Sequence, residues 1–304
     1  MADSKKIDVE FSIDNNYIQH FCVAVTSLLE NNFNHICRIF LITDFVESEA
    51  LVKTISFIYS RFKIKICCTK IEESVLRKFK VDSHVSQATY YRLFLTELLP
   101  NDIDKVLYLD SDVVVNGSLA SLFNLKFQSE LQVSTSSKHI NNILLASKDL
   151  YLYAVSEVNW QDPDRLRSIG LMGYRYFNAG VLLINLKRWR EDKVLKKLIT
   201  IALDKSINLK FHDQDVLNIA FENNWGELHY KYNTVNLDFL KHKVYESDYH
   251  IIHYTSGSKP WHFINRHPLK HIYWNYLRKT PYKYYIPHDL TLRNIIKKYI
   301  FSYF

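Results

Sequence analysis

The fold class is best predicted from Lys105-Val106-Leu107-Tyr108-Leu109-Asp110-Ser111-Asp112, which joins an apolar run of strand length directly to a pair of aspartates. A short continuous apolar run is typical of a strand covered on both faces, as in the parallel sheet of an α/β protein. Ligands of such sheets bind beyond the carboxyl ends of the strands. The stretch therefore predicts a buried strand with a ligand site immediately after it.

Strand-like and helix-like patterns alternate on both sides of this stretch. Before it, apolar and β-branched runs predict strands at residues 7–13, 38–43 and 62–68, and apolar spacings of three to four residues predict helices at 21–30, 48–60 and 88–99. After it, a strand is predicted at 180–186 and helices at 194–203 and 215–222. The alternation indicates an α/β fold, with a Rossmann-like, mostly parallel sheet and helices on both faces.

The composition fits a protein with a large buried core. The 304 residues are 47% hydrophobic and 23% charged, enough for one large domain or one domain with a small appendage. The four cysteines, Cys22, Cys37, Cys67 and Cys68, lack metal-binding spacing, and we expect them to be reduced and buried. The sequence has no apolar leader and no run of about 18 apolar residues, so we expect a cytoplasmic protein.

Asp110 and Asp112 place two hard oxygen ligands where the predicted strand ends. A divalent cation bridging them to a diphosphate would neutralise a leaving group, whereas the alternative is a pair of solvated loop acids. His253 ends another apolar run and precedes a Ser-Gly turn and Lys259. An imidazole with two carboxylates suits Mn²⁺ or Mg²⁺, and the turn and the lysine suit phosphates. The alternative for His253 is a core histidine.

Two other classes of protein share the Asp-x-Asp signature. An EF-hand is excluded, because Val115 stands where its loop requires glycine. A phosphatase of the haloacid dehalogenase type also carries Asp-x-Asp-x-Val after an apolar strand, but its nucleophile lies near the start of the fold. Here about a hundred residues precede Asp110, and Gln214 interrupts the later acidic pair Asp213 and Asp215. This phosphatase remains the alternative enzyme.

Four ordered blocks together resemble one family. They are residues 105–112, residues 176–185 (Tyr-Phe-Asn-Ala-Gly-Val-Leu-Leu-Ile-Asn), residues 212–218 (His-Asp-Gln-Asp-Val-Leu-Asn), and His253-Tyr254 with Lys259-Pro260-Trp261. The sequence resembles the retaining glycosyltransferases of family eight, such as bacterial lipopolysaccharide galactosyl- and glucosyltransferases, from about residue 8 to residue 261. The resemblance implies a GT-A fold, a UDP-hexose donor (glucose or galactose), Mn²⁺ or Mg²⁺, and a saccharide acceptor such as lipopolysaccharide or another cell-surface glycan.

The resemblance also implies roles for individual residues. It assigns the metal to Asp110, Asp112 and His253, and the catalytic positions around the donor sugar to Asn178, Asp213 and Gln214. The residues expected to bind the nucleotide sugar are Ser12, Asp14, Asn16, Tyr17, Arg92, Ser111, Ser256, Gly257 and Lys259. A UDP-sugar-binding module without turnover is a further alternative.

Two departures from the family pattern concern the phosphate turn and the acceptor. Ser256 stands where the family usually has glycine, so the turn could have another shape. Residues 134–138 lack the acid that some members place near the acceptor, and residues 134–174, which show no clear period, are expected to be mobile or acceptor-facing. For a retaining transfer we favour front-face attack over a double displacement, because only Asp213 and the neutral amide of Gln214 are candidate nucleophiles.

The C-terminal residues differ in character from the rest. Residues 259–304 contain nine Lys or Arg and one acid, Asp289, and many aromatic rings; their net charge of +8 exceeds the chain's total of +7. We therefore divide the chain into a catalytic domain, 1–258, and a basic aromatic extension, 259–304. From Leu292 the pattern predicts an amphipathic basic helix at an anionic membrane surface, such as the inner face of the cell membrane. The alternative is a docked helix with a solvated basic face; no nucleic-acid partner is expected, because no recognition motif accompanies the charge.

Overall fold

The computed structural model describes residues 6–45, 47–79, 86–128, 149–157, 162–173, 175–235 and 249–299. The strands are β1 (Ile7–Ser12), β2 (Ile36–Thr43), β3 (Ile66–Lys70), β4 (Lys105–Leu109), β5 (Val113–Val115), β6 (Leu152–Ser156), β7 (Phe177–Asn185), β8 (Trp225–Leu228), β9 (Thr234–Val235) and β10 (Ile251–His253). The α-helices are α1 (Ile18–Asn32), α2 (Glu49–Phe62), α3 (Glu73–Leu76), α4 (Leu95–Leu98), α5 (Ala120–Phe123), α6 (Pro163–Ser168), α7 (Leu186–Glu191), α8 (Val194–Ala202), α9 (His212–Ala220), α10 (Lys270–Leu277) and α11 (Leu292–Tyr299).

Seven strands form the central sheet, in the order β3-β2-β1-β4-β7-β6-β8. Every neighbouring pair is parallel except those that involve β7, which runs antiparallel to both β4 and β6. Alternate residues of each strand enter opposite cores: Tyr108 and Leu182 pack on the side of α8 and α9, and Leu107 and Leu183 on the side of α1. The predicted α/β class, with a mostly parallel sheet covered on both faces, is confirmed.

A second sheet of three strands, β5-β10-β9, lies next to the end of β4. His253 pairs with Val113 in the antiparallel β10–β5 ladder, and the backbone N–H of Tyr254 donates to the carbonyl of Asp112 at 3.1 Å. This ladder places the histidine beside the two aspartates, although 140 residues of chain separate His253 from Val113.

Three local predictions need correction. Helix α2 continues to Phe62 and ends at Lys63 in the left-handed region (φ 57°), so the strand predicted from residue 62 begins only at Ile66. The helix predicted at 88–99 is a 3₁₀ helix over Gln87–Phe94, followed by the short α4. In the segment without clear period, residues 152–156 form strand β6 of the seven-stranded sheet, whereas residues 134–148, 158–161 and 174 lie outside the described part of the chain.

The cysteines are free thiols, but most of them are not buried. Cys22 lies inside α1, whereas Cys37, Cys67 and Cys68 are exposed. Cys67 and Cys68 belong to β3, which forms one edge of the sheet and has no strand beyond it in the part of the structure described. The prediction of burial was wrong for three of the four. For Cys67 and Cys68 the reason is that an edge strand lacks the cover that an interior strand has.

The chain after residue 258 packs against the sheet through α10. Tyr273 and Leu277 join Val23 of α1 and Tyr254 in an apolar cluster. Further along, the Tyr282 hydroxyl donates to the carbonyl of Ala50 at 3.0 Å, which ties the segment to α2. No helix in the described ranges is long and apolar enough to cross a membrane.

Candidate active site

The structure brings the three predicted metal ligands together at the end of β4. Asp110, Asp112 and His253 each offer a ligand atom, and these atoms lie within 4.8 Å of one another. Nε2 of His253 is 3.1 Å from Oδ1 of Asp112 and 3.6 Å from Oδ2 of Asp110. A set of one imidazole and two carboxylates, half-open to a cleft, is of the kind that binds Mn²⁺ or Mg²⁺.

The hydrogen bonds around His253 leave its Nε2 free to act as a ligand. Its Nδ1 lies 2.9 Å from Oδ1 of Asn233, whose Nδ2 in turn donates to Oδ1 of Asn178 at 2.8 Å. Because the Asn233 oxygen faces the ring, we assign the imidazole proton to Nδ1, and Nε2 then presents a lone pair. It faces Oδ1 of Asp112, which is buried and has no hydrogen-bond partner. Two lone pairs at this distance repel unless a cation joins them, so the residues present fit a metal ion.

Gly180 on β7 makes the close approach of these ligands possible. A Cβ atom at this position would lie 2.2 Å from Cε1 of His253 and 2.8 Å from Oδ2 of Asp110. The backbone N–H of Asp110 also donates to the Gly180 carbonyl at 2.8 Å. The glycine in the Asn-Ala-Gly block is therefore a steric requirement of the cluster.

Arg92 holds two of the predicted carboxylates at fixed positions. Its guanidinium is buried and lies 2.8 Å from Oδ1 of Asp110 and 3.0 Å from Oδ2 of Asp213. It also donates to the carbonyl of Ala179 at 2.6 Å, and Tyr108 donates its hydroxyl to Asp110 at 2.6 Å. Burial raises the pKa of Asp213 although Arg92 opposes this effect. Arg92 thus fixes the orientation of Asp110 and links it to Asp213.

Lys259 forms the boundary between the metal cluster and the cleft. Its Nζ donates to Oδ2 of Asp112 at 2.6 Å and to the carbonyl of Tyr254 at 2.8 Å. Burial disfavours the Asp112 carboxylate, but its pKa lies well below the usual range, and the Lys259 ammonium is the largest cause of this lowering. Ser256, at the position where glycine was expected, adopts the left-handed conformation that glycine favours (φ 71°). The turn therefore has the backbone conformation expected with glycine, although serine occupies this position.

The catalytic candidates form a buried hydrogen-bonded group next to the metal cluster. Gln214 accepts from the backbone N–H of Ala179 at 3.0 Å and donates to Oε2 of Glu157 at 3.0 Å. Asn178 donates to the same Glu157 oxygen at 3.4 Å. Asp213 accepts a short hydrogen bond from the Thr89 hydroxyl and is also paired with Arg92.

Sequence reasoning missed Glu157 and Asn233. Glu157 directly follows β6, the next strand of the seven-stranded sheet after the Asp-x-Asp segment. An acid therefore does follow that strand, but it lies beyond residues 134–138, where the family pattern predicts it. Asn233 directly precedes β9 and is fully buried. Neither residue belongs to a recognisable motif. For Glu157 the only local signal is that an acid follows a strand, and this signal is visible only once β6 has been identified as a strand.

All nine residues predicted to bind the nucleotide sugar line one cleft of about 830 Å³, together with Asp110 and Asp112. They are Ser12, Asp14, Asn16, Tyr17, Arg92, Ser111, Ser256, Gly257 and Lys259. The Asp14 carboxylate accepts from the backbone N–H of Asn16 at 2.8 Å, which caps the turn that presents Tyr17.

Two further aromatic rings in the cleft were not predicted. His20 stacks on Trp261 with ring centroids 3.4 Å apart, and Tyr17 meets the same indole edge-on at 6.0 Å. Burial lowers the pKa of His20 to about 3, so this imidazole is neutral at physiological pH. The rings provide an apolar wall next to the charged cluster.

The sequence profile described as glycosyl transferase family 8 matches residues 8–265. The chain belongs to this family. The match includes every element that contributes to the cleft and the metal cluster, and it excludes the haloacid dehalogenase alternative.

Curated relatives agree with this assignment. The family 8 chain is 29% identical over 295 residues to a lipopolysaccharide 1,2-glucosyltransferase of Escherichia coli K12, covering 94% of this chain and 82% of the relative. It is 30% identical over 269 residues to a putative glycosyltransferase of Haemophilus influenzae, with coverages of 85% and 74%. It is 26% identical over 290 residues to a lipopolysaccharide 1,3-galactosyltransferase of Salmonella typhimurium, with coverages of 93% and 81%.

Solved structures show the same fold. The galactosyltransferase LgtC, in complex with donor and acceptor sugar analogues, superimposes with a TM-score of 0.75 at 24% identity, covering 93% of this chain and 98% of LgtC. GlyE of Streptococcus pneumoniae superimposes with a TM-score of 0.63 at 27% identity, covering 90% and 61%. The GT-A fold expected from the sequence is confirmed, and the family 8 chain is a glycosyltransferase.

Proposed function

We propose that this glycosyltransferase transfers a hexose, glucose or galactose, from a UDP-sugar to a glycan with retention of the anomeric configuration. The proposal depends mainly on the cluster of Asp110, Asp112 and His253 next to Lys259 in the cleft. Mn²⁺ or Mg²⁺ is the cofactor that suits this ligand set, and when bound it supplies positive charge to a departing diphosphate.

The protein's own residues have distinct tasks in this proposal. Lys259 brings a second positive charge to the place where the leaving phosphate develops negative charge. Arg92 orients Asp110. The aromatic wall that includes Tyr17 and Trp261 offers apolar contact to the uracil base.

The hydrogen bonds of Gln214 and Asp213 favour front-face attack. Both ends of the Gln214 amide are occupied, by Ala179 N–H and by Glu157, and Asp213 is paired with Arg92 and Thr89. A carboxylate paired in this way is a weak nucleophile. We therefore infer that an acceptor hydroxyl attacks the anomeric carbon from the side that the diphosphate leaves, and that its proton passes to a phosphate oxygen as the sugar–phosphate bond breaks.

The acceptor is inferred from the relatives, several of which are named as lipopolysaccharide glycosyltransferases. We propose lipopolysaccharide or a similar cell-surface saccharide as the acceptor class. Assembly of such glycans on lipid carriers suits a cytoplasmic enzyme that contacts the anionic inner face of the membrane. The basic aromatic extension, residues 259–304, is the part of the chain proposed to make that contact.

A panel of UDP-sugars, assayed for UDP release with Mn²⁺ and with a chelator, tests the donor and the metal together. We expect release with UDP-glucose or UDP-galactose, and loss of at least about 100-fold in Asp112→Asn and His253→Ala. Asp102→Asn is the matched control, since Asp102 is a largely exposed surface aspartate paired with Arg38. UDP binding without any turnover in the wild type would favour the binding-module alternative.

A further inference from the structure

Residues 259–265 form a loop with two different sides. On one side Lys259, Trp261 and His262 line the cleft. On the other side the loop backbone is held by the C-terminal part of the chain; for example, the Trp274 indole N–H donates to the carbonyl of Pro260 at 2.9 Å. A movement of this C-terminal part of the chain would therefore displace residues that form the wall of the cleft.

The segment at 289–298 holds this loop through polar contacts. The Asp289 carboxylate accepts from the backbone N–H groups of Phe263 at 2.7 Å and Ile264 at 3.1 Å. Lys298 of α11 donates to the carbonyl of Phe263 at 2.6 Å, and Asn294 of α11 donates to the carbonyl of Asp289 at 2.7 Å. These bonds connect α11 to Phe263 directly through Lys298, and to Phe263 and Ile264 indirectly through Asp289.

Several apolar side chains between residues 286 and 296 are exposed to solvent. Leu292 is 74% exposed and Ile286 is 70% exposed, and Leu290, Ile295 and Ile296 are also exposed. A helix docked on a protein core would bury such residues and expose its polar ones. Helix α11 contacts Phe263 and Asp289 through polar groups, whereas its Leu292 side chain is largely exposed and Ile295 and Ile296 are each 38% exposed.

The charges next to these apolar residues identify the class of partner. Within α11, Arg293, Lys297 and Lys298 are cationic, and residues 290–299 contain no acid. Exposed aliphatic side chains flanked by cations match an interface of acyl chains and anionic headgroups, and they do not match an acidic protein surface, which offers no apolar layer.

We propose that α11 docks on an anionic lipid surface and that its contacts with residues 259–265 couple this docking to the cleft, so that UDP binds more tightly on the membrane than in solution. Docking would immobilise α11 and, through Asp289 and Lys298, the backbone next to Trp261 and Lys259. A loop that is already ordered costs less entropy to fix when the nucleotide binds. The coupling rests on the proposed function, since it assumes that the cleft binds UDP.

The test measures the dissociation constant of UDP in Mn²⁺ without vesicles, with phosphatidylcholine vesicles, and with vesicles that also contain phosphatidylglycerol. We expect the wild type to sediment with the anionic vesicles and to bind UDP about fivefold more tightly on them, at the lower end of common coupling factors. The double variant Leu292→Ser, Ile296→Ser should lose sedimentation and keep the UDP affinity found without vesicles. Asp289→Ala should still sediment, but the vesicles should no longer change its UDP affinity.

The outcomes separate the two proposals. UDP binding that is the same with and without anionic vesicles, or no sedimentation of the wild type, would overturn the coupling and leave the donor site intact. Asp289→Ala that responds to vesicles as the wild type does would also overturn it. Absence of UDP binding under every condition would instead refute the proposed function and the coupling with it. Thermal melting without vesicles checks that each variant is folded.

Discussion

Nε2 of His253 and Oδ1 of Asp112 face each other at 3.1 Å, and the aspartate oxygen has no hydrogen-bond partner. The Asn233 side chain, on the other edge of the imidazole, directs the ring proton away from this contact. The two atoms are therefore arranged as ligands for a shared cation. The arrangement also makes the site sensitive to changes that leave all three ligands in place.

Asn233→Ala should weaken Mn²⁺ binding by about 10- to 100-fold, because His253 would lose the partner that fixes its tautomer and ring orientation. Asn233→Asp keeps an oxygen acceptor for the ring but loses the N–H that donates to Asn178, so its Mn²⁺ affinity should fall between those of Asn233→Ala and the wild type. Titration of Mn²⁺ followed by electron paramagnetic resonance measures both. Equal affinities for wild type and Asn233→Ala would show that Asn233 has no role in orienting the ligand.

Gly180→Ala should disrupt the metal cluster, because the added methyl would lie 2.2 Å from the ring of His253. We expect a loss of about 1–3 kcal/mol in unfolding free energy, together with impaired Mn²⁺ binding. Gly257→Ala is the control for stability, since a Cβ atom there meets no atom within 4 Å. Denaturant melts of the two variants should differ clearly, and a Gly180→Ala protein as stable as the control would refute the steric argument.

Arg92→Met should lower the unfolding free energy by about 3–5 kcal/mol, because it leaves Asp110 and Asp213 without the cation between them. Arg61→Met removes a partly exposed arginine paired with Glu30 and should cost less than about 1 kcal/mol. Urea denaturation compares the two. Similar losses in both variants would mean that the buried ion pairs of Arg92 stabilise the fold no more than the exposed pair of Arg61 does.

Glu10 makes stability depend on pH. Its side chain is fully buried on β1, accepts from the Ser12 hydroxyl at 2.8 Å, and has its other carboxyl oxygen without a hydrogen-bond partner. Burial raises the pKa of Glu10 from 4.5 to about 8, so at neutral pH the folded protein keeps this group protonated. Between these two values the folded state binds more protons than the unfolded state.

The contribution of Glu10 to stability is therefore fully present below pH 4.5 and is lost as pH rises through 8, at up to about 1.4 kcal/mol per pH unit. Glu10→Gln replaces the acid with an uncharged amide of nearly the same shape and should remove this part of the decline. Urea melts from pH 5 to 9 measure the difference between the two proteins. A difference that does not change with pH would contradict the assignment of a protonated Glu10.

Much of the site could be predicted because its residues lie where strands end. Asp110, Asp112 and His253 each follow or end an apolar run, and Lys259 follows the last of these runs by a short turn. Such positions are visible in a single stretch of sequence. Glu157 and Asn233 were missed, because their roles depend on the β6–β7 and β9–β10 pairings, which join parts of the chain far apart in sequence.

The α/β class, the order of most strands and helices, and the residue types of the Asp110, Asp112 and His253 cluster follow from local patterns of the chain, because hydrophobic period and the residues at strand ends are local properties. Contacts in the folded protein set the antiparallel direction of β7, the exposure of three cysteines and the exposure of Leu292 on α11. The same contacts place Asn233 against Nδ1 of His253 and the Asp289 carboxylate against the backbone of the loop at 259–265. These features arise from contacts between distant segments, and no local pattern specifies which segments meet.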